Sequence, residues 1–161
     1  MPKLKYKMKN IDIFVISLAS PILIGIYENN TLIDTLSVEG KTSEALPEIF
    51  VDILKKYTIN NIIYVNGPGS YMAIKVAYIF LKTISITKDI NFLCTSGFDV
   101  NNNSAIKALG KKYFVQDNNG EITMRVLEDN EVLNDFELPQ TIDINNYSKE
   151  TLPNYQLPAV V

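Results

Sequence analysis

The sequence predicts an α/β fold in one domain. Two observations support this prediction: the order in which apolar runs follow one another, and the length of the chain. Three strand-like runs come first, separated by turn residues. Two longer runs with helical spacing of apolar residues follow, and each leads into a short β-branched run. A length of 161 residues corresponds to one domain, and 47% apolar residues can bury a core without a disulfide or a metal.

The three amino-terminal runs predict an antiparallel meander. Residues 11–18 are β-branched and aromatic, which is typical of a buried strand. Residues 22–28 and 31–38 flank Asn29 and Asn30, which favour a two-residue hairpin turn because asparagine tolerates a positive φ.

The first helix is predicted over residues 43–57. Its apolar stripe consists of Leu46, Ile49, Phe50, Ile53, Leu54 and Tyr57. Pro47 is expected in or near the first turn, because a proline deeper in the helix would remove a backbone hydrogen bond.

A strand–helix–strand unit follows. Residues 62–65 are predicted as a strand, residues 71–86 as the second helix and residues 91–95 as another strand. Such a crossover is right-handed and makes its two strands parallel. The complete element order is that of the ribonuclease-H-like core, which actin, the sugar kinases and a family of heat-shock chaperones also use.

The second helix is apolar on two sides, so both sides need to be covered. One stripe, predicted to face the sheet, consists of Ile74, Ala77, Tyr78, Leu81 and Ile84. The other side is predicted as a partner interface formed by Met72, Lys75, Val76, Ile79 and Phe80. The alternative is that the first helix covers this side within the same chain.

The carboxy-terminal part is less regular. Residues 112–117 and 121–128 predict a hairpin, residues 105–109 a strand or short helix, and residues 131–138 one more strand. Residues 139–161 are expected to be irregular. We therefore divide the chain into a ribonuclease-H-like subdomain, residues 1–98, and an abbreviated β-rich second subdomain with a tail, residues 99–161.

The composition excludes several chemistries. The chain has no histidine and one cysteine, which excludes Ser-His-Asp and Cys-His nucleophile systems and an intramolecular disulfide. Metal-dependent nucleases with this topology need acids where this chain has Ser17 and Asn66. The net charge of −3 does not favour non-specific binding to a nucleic acid, which needs an excess of positive charge. We expect no catalytic, cofactor-binding or metal-binding residues.

The signature turn is the sharpest motif, and it consists of Gly67, Pro68, Gly69 and Ser70 between a strand and a helix. Glycines there permit a tight turn whose backbone N–H groups can face an anion. Pro68 removes one of those donors, and the Gly-Lys-Ser/Thr ending of a P-loop is missing. Both a structural turn and a contact to a ligand or partner remain open.

Residues 64–76 resemble the "GPGSFTGLRIG" signature of the TsaB/YeaZ family. Residues 43–49 resemble that family's "HSELLPMI" helix start, and residues 12–20 match its first strand, "LALDTST". The family comprises scaffold subunits of the bacterial machinery that makes threonylcarbamoyl-adenosine in tRNA. The resemblance is good over residues 11–98 and weak beyond, which indicates a shortened and divergent member.

This resemblance implies a cytoplasmic, non-catalytic subunit whose helices bind a TsaD-like catalytic subunit, with a TsaE-like ATPase joining the complex. The family's first-strand acid and hydroxyls are Ser17, Leu18 and Ala19 here, and its signature arginine is Lys75. These departures make nucleotide binding less expected. Relatives have been called glycoproteases, but without histidine or a catalytic constellation no protease activity is expected.

Two other functions stay open. One is an ATP-binding protein or small-molecule kinase of the actin-like superfamily. The other is a diverged homodimeric remnant that pairs through the same helices and has no role in tRNA modification. None of the three functions implies sequence-specific nucleic-acid binding or a membrane.

Overall fold

A computed structural model describes residues 7–156. The amino-terminal meander is formed by β1 (Lys9–Ile16), β2 (Ile22–Glu28) and β3 (Thr31–Val38). All neighbouring pairs in this meander are antiparallel, as predicted. Asn29 and Asn30 have φ values of 50° and 64°, which confirms the predicted asparagine turn. β1 ends two residues before its predicted end, because the chain leaves the sheet after Ile16.

The first helix and the strand–helix–strand unit are also confirmed, as α1 (Thr42–Lys56), β4 (Tyr57–Val65), α2 (Tyr71–Lys88) and β5 (Asn91–Thr95). α1 begins at Thr42, so Pro47 lies in its second turn and not in the first. β4 begins five residues earlier than predicted, since it pairs in parallel with β1 from Lys9 to Val15. β5 pairs in parallel with β4. The five-stranded order β3-β2-β1-β4-β5 is that of the predicted ribonuclease-H-like core.

The two faces of this sheet are covered differently. Strand residues that point to α1 and α2 join the larger apolar cluster, which includes Ile13, Ile24 and Ile62. Residues that point the other way, such as Phe14 and Ile63, join a second cluster that the carboxy-terminal part of the chain completes. Phe14, Ile13, Ile24, Ile62 and Ile63 are all completely buried.

Residues 97–136 contain a short 3-10 helix (Gly97–Val100) and a second sheet of three antiparallel strands. Its strands are β6 (Ile106–Lys107), β7 (Lys112–Gln116) and β8 (Ile122–Val126). The β7–β8 hairpin confirms the prediction.

The strand predicted over residues 131–138 was wrong. Within this segment the backbone donates from Glu137 to the Val100 carbonyl at 2.8 Å, and no ladder forms. Val132 and Leu133, two apolar residues of this segment, are exposed. Exposed apolar residues have no partner strand or opposing layer here, so their β-propensity alone does not make a strand.

The last segment, residues 139–156, is irregular as predicted, apart from a short 3-10 helix (Ile144–Asn146). It packs back on the five-stranded sheet, and we call it the strap. The other predicted tail residues, 157–161, lie outside the described residues. Within residues 7–156, no helix is long and apolar enough to cross a membrane.

Candidate functional site on the outer face of the two helices

The signature turn connects β4 to α2 and is mostly buried, with only Ser70 exposed. Gly67 has a φ of +124°, a conformation that residues with a side chain rarely adopt. Its carbonyl accepts from the Gly97 N–H at 2.9 Å, which ties the turn to the segment after β5. The glycine therefore has a structural reason to be here.

The inner stripe of α2 lies where the sequence predicts it. Ile74, Ala77 and Leu81 are completely buried, and Tyr78 and Ile84 are half-buried. Tyr78 packs against Tyr64 and Phe92 of the sheet, with ring centroids 6.2 and 6.1 Å apart. The sheet therefore covers this side of α2.

The opposite side of α2 is exposed and apolar. Met72, Ile79 and Ile86 recur every seven residues, and 62%, 52% and 71% of their respective surfaces are exposed. Val76 lies between them and is half-buried. Large apolar side chains in a row on one helix form a patch of the kind that marks an interaction site. We call Met72, Val76, Ile79 and Ile86 the outer face.

The first helix covers part of the predicted interface. Phe80 packs edge-to-face on Phe50 of α1, with the ring centroids 5.6 Å apart, so its ring is half-buried within the chain. A shallow groove of about 240 Å³ separates α1 from α2, lined by Thr42, Ser43, Pro47, Val76, Ile79 and Phe80. The first helix therefore buries part of Phe80, as the alternative prediction expected, but it leaves Met72 and Ile79 exposed.

Two lysines flank the outer face of α2. Lys75 is exposed, and its Nζ lies 6.0 Å from the centroid of the Tyr71 ring. Lys82 is exposed in the same way, 6.0 Å from the Phe92 ring. Both ammonium groups stay in water while their stems cover aromatic surface. The predicted interface residue Lys75 thus lies at the rim of the outer face.

A second cleft, of about 420 Å³, opens where β1 ends and both helices begin. Its polar lining consists of Ser17, Ser20, Lys41, Thr42, Ser43 and Ser70. Ser20 donates to a carboxylate oxygen of Glu39 at 2.6 Å, outside this lining. The cleft offers hydroxyls and one ammonium but no carboxylate to bind a metal or to act as a general base.

A third cavity, of about 820 Å³, lies on the other side of the sheet between the strap and the segment after β5. Its lining includes Asp99, Asp135 and Glu137. Asp99 already accepts from the Thr95 hydroxyl at 2.6 Å. Within residues 7–156, no group of three or more histidine, cysteine or acidic side chains is placed to bind a metal ion.

The titratable groups with shifted pKa values lie away from the outer face. Burial raises the pKa of the Cys94 thiol and of the Tyr64 phenol, both inside the sheet. Cys94 donates to the Glu150 carbonyl at 3.2 Å and is a buried core residue. A buried thiol with a raised pKa is a poor nucleophile.

Comparisons with known proteins agree with this architecture. No protein-family model matches the sequence, and no curated protein matches it. The structure is similar to that of YeaZ from Pseudomonas aeruginosa, with a TM-score of 0.57 over 72% of this chain and 64% of that one. The chain has the YeaZ fold. Sequence identity over this match is 12%, so the likeness to YeaZ is one of fold.

A second solved structure is described as an uncharacterized protein with similarity to peptidase YeaZ from Pseudomonas aeruginosa. It matches with a TM-score of 0.54 and 12% identity, over 72% of this chain and 63% of that one. This chain thus spans less than two thirds of the length of either of these two proteins. The resemblance seen in the sequence motifs is confirmed at the level of the fold.

Sequence reasoning missed two residues that contact the signature turn. The Asn154 N–H donates to the Asn66 carbonyl at 2.8 Å, directly before the turn. The Tyr155 ring lies 4.3 Å from the Tyr71 ring, at the start of α2. The sequence showed only that Tyr155 is an aromatic residue in a polar, proline-containing tail. This does not indicate which residue Tyr155 contacts.

Proposed function

We propose that this protein is a TsaB/YeaZ-like scaffold subunit for threonylcarbamoylation of adenosine in tRNA. In this function it is not an enzyme. It binds a TsaD-like catalytic subunit through the outer face and supports that subunit, and a TsaE-like ATPase joins the complex. The proposal combines the YeaZ fold with the motif resemblance of residues 64–76 and 43–49.

The observation that carries the proposal is the exposure of Met72 and Ile79 beside a buried signature turn. An apolar helix surface in water is stabilised when a partner covers it, because burial removes apolar area from water. The neighbouring groove between α1 and α2 can accept an apolar side chain of the partner. The exposed lysines, Lys75 and Lys82, would lie at the polar rim of such an interface.

Non-catalytic action is supported by the composition and by the cleft at the end of β1. The chain contains no histidine, and the cleft residues include no carboxylate. Peptidase chemistry, which the description of the second neighbour mentions, would need a hydroxyl activated by a base within hydrogen-bond distance. Among the described residues, no hydrogen bond joins Lys41 to a serine hydroxyl of this cleft. ATP-dependent phosphotransfer would need a carboxylate for the magnesium ion.

The test is co-purification of the tagged chain with the TsaD-like subunit of the same organism. We expect the wild-type chain to retain it and Ile79→Asp to weaken the complex more than about tenfold, because the complex would bury an unpaired charge. Ile33→Asp is the matched control: Ile33 is 47% exposed, but it lies on β3, away from the helices. The control should bind like wild type.

Four outcomes would contradict the proposal. The wild-type chain could fail to retain the subunit, or Ile79→Asp could bind normally. Alternatively, calorimetry could detect tight binding of ATP with magnesium, which would favour the actin-like kinase. Self-association through the outer face, together with normal tRNA modification in a deletion strain, would favour the homodimeric remnant.

A further inference from the structure

The strap joins both edges of the five-stranded sheet. At one edge, the Leu32 N–H donates to the Gln140 carbonyl at 2.9 Å, and the Ile142 N–H donates to the Asn30 carbonyl at 3.0 Å. At the other edge, the strap extends β5 through paired bonds between Cys94 and Ser148, at 2.9 and 3.0 Å. Its path therefore crosses the whole face that the helices leave open.

Between these edges the strap is packed and not merely laid on the surface. Ile142 is 5% exposed and belongs to the apolar cluster on this face. The Tyr147 ring packs edge-to-face on Phe14, with centroids 5.9 Å apart. The Tyr27 hydroxyl donates to the Pro139 carbonyl at 2.6 Å. Burial on this scale makes the strap part of the fold.

Past β5 the strap reaches the helix side of the sheet and ends at the signature turn. The Tyr64 hydroxyl donates to the carbonyl of Thr151, which is buried. The Asn66 side chain then donates to the Leu152 carbonyl at 3.3 Å. The Asn154 N–H donates to the Asn66 carbonyl, and Tyr155 packs on Tyr71. The last described residues of the strap thus contact the residues just before and just after the turn.

The contact at the turn is close enough to depend on glycine. A Cβ atom placed on Gly67 would lie 2.4 Å from the Asn154 carbonyl oxygen. The backbone of the strap therefore occupies the space that a side chain at residue 67 would need. Turn and strap fit each other only because residue 67 has no side chain.

We propose that Asn154 and Tyr155 are positioning residues, which hold the signature turn and the start of α2 in the conformation that a partner binds. The strap thereby connects the covered side of the sheet to the outer face. The partner step rests on the proposed function, whereas the positioning step concerns this chain alone. Met72 and Val76 lie within the first two turns of α2, so a shift at Tyr71 moves them directly.

The experiment compares Tyr155→Ala with Tyr147→Ala, which makes the same truncation eight residues earlier in the same strap. Two amide protons report on the turn: Ile74 N–H, bonded to the Ser70 carbonyl, and Gly97 N–H, bonded to the Gly67 carbonyl. Hydrogen exchange followed by NMR measures how often these bonds open. Alkylation of Cys94 with iodoacetamide reports separately on the middle of the strap, which its thiol contacts at Glu150.

In Tyr155→Ala we expect exchange at Ile74 and Gly97 to become about tenfold faster, since an aromatic contact stabilises by that order. Alkylation of Cys94 should stay as slow as in wild type, because the middle of the strap remains on the sheet. The affinity for the TsaD-like subunit should also fall about tenfold, because the conformation of the turn that the partner binds becomes less populated by that factor. Tyr147→Ala should speed alkylation of Cys94 without a preferential effect on the two amides.

The positioning step is overturned if Tyr155→Ala leaves both amides unchanged, or if Tyr147→Ala accelerates them equally. The partner step is overturned if the amides open faster while the affinity stays the same. If wild type binds no TsaD-like subunit, the proposed function has failed. The exchange comparison still decides the positioning step in that case.

Discussion

The two faces of the five-stranded sheet are covered in opposite ways. On one face lie α1 and α2, whose own hydrogen bonds satisfy their backbones and whose inner stripes cover the sheet. On the other lies the irregular strap, whose backbone bonds go to the sheet edges at Asn30, Leu32 and Cys94. A helix layer has a second side, which on α2 carries the exposed apolar residues Met72 and Ile79, whereas the strap is a single extended segment. This difference is the reason why we propose the interaction surface on the helix side.

The largest effect should come from emptying the core under each cover. Phe50 of α1 belongs to the helix-side core and is 1% exposed, and Phe14 of β1, which faces the strap, is completely buried. If the strap packs as well as the helices do, Phe14→Ala and Phe50→Ala should each lower the free energy of unfolding by about 3–5 kcal/mol. Urea denaturation measures both. A much smaller loss for Phe14→Ala would mean that the strap covers its face only loosely.

A smaller effect should isolate the contact between strap and turn. Gly67 and Gly40 have similar φ values, +124° and +119°, but a Cβ would meet the strap at Gly67 and nothing within 4 Å at Gly40. Gly40→Ala should therefore cost only the backbone strain, about 1–3 kcal/mol. Gly67→Ala should cost more, because the Asn154 carbonyl has to move. Equal losses in thermal or urea unfolding would show that the strap yields freely at this point.

The smallest effect concerns a polar row on the strap side of the sheet. Asp12 accepts from the Asn61 side chain at 2.7 Å, and Asn61 in turn accepts from the Asn91 side chain at 3.2 Å. Burial raises the pKa of Asp12, although the side-chain and backbone hydrogen bonds from Asn61 oppose this. The folded chain therefore binds this proton more readily than the unfolded chain does.

This sign has a measurable consequence. The free energy of unfolding should fall as the pH rises from the ordinary carboxyl pKa, about 4, through the raised one. Asp12→Asn should remove that part of the fall and stabilise the protein slightly near neutral pH, since the amide oxygen still accepts from Asn61. Unfolding curves from about pH 4 to about pH 7 measure this slope. A variant less stable than wild type at neutral pH would contradict the assignment.

The helix side of the molecule could be predicted well from local patterns. The spacing of Leu46, Phe50 and Ile53 predicts α1, and Gly67 with Pro68 predicts the turn before α2, because both signals involve residues close in the chain. The early start of β4 at Tyr57 could not be predicted so well, since pairing with β1 decides it. The strand predicted over residues 131–138 was wrong for the related reason that no partner strand is present.

The candidate site was predictable only in part. Met72, Val76 and Ile79 were identified from their helical spacing, and the structure places them on one side of α2. The sequence could not show that Phe80 packs against Phe50, because this contact depends on how closely α1 approaches α2. The contacts of Asn154 and Tyr155 join residues more than eighty positions apart in the chain, and nothing in the local pattern of the strap indicates them.

The sequence by itself determined the order of helices and strands, the missing acids at Ser17 and Asn66, and the two apolar sides of α2. These properties follow from residue type and from spacing along the chain. Only the tertiary structure decided which side of α2 stays exposed, what covers Phe14, and that the strap ends on Gly67. Those outcomes depend on which segments, distant in the chain, pack against each apolar surface. The periodicity within one segment carries no information about such contacts.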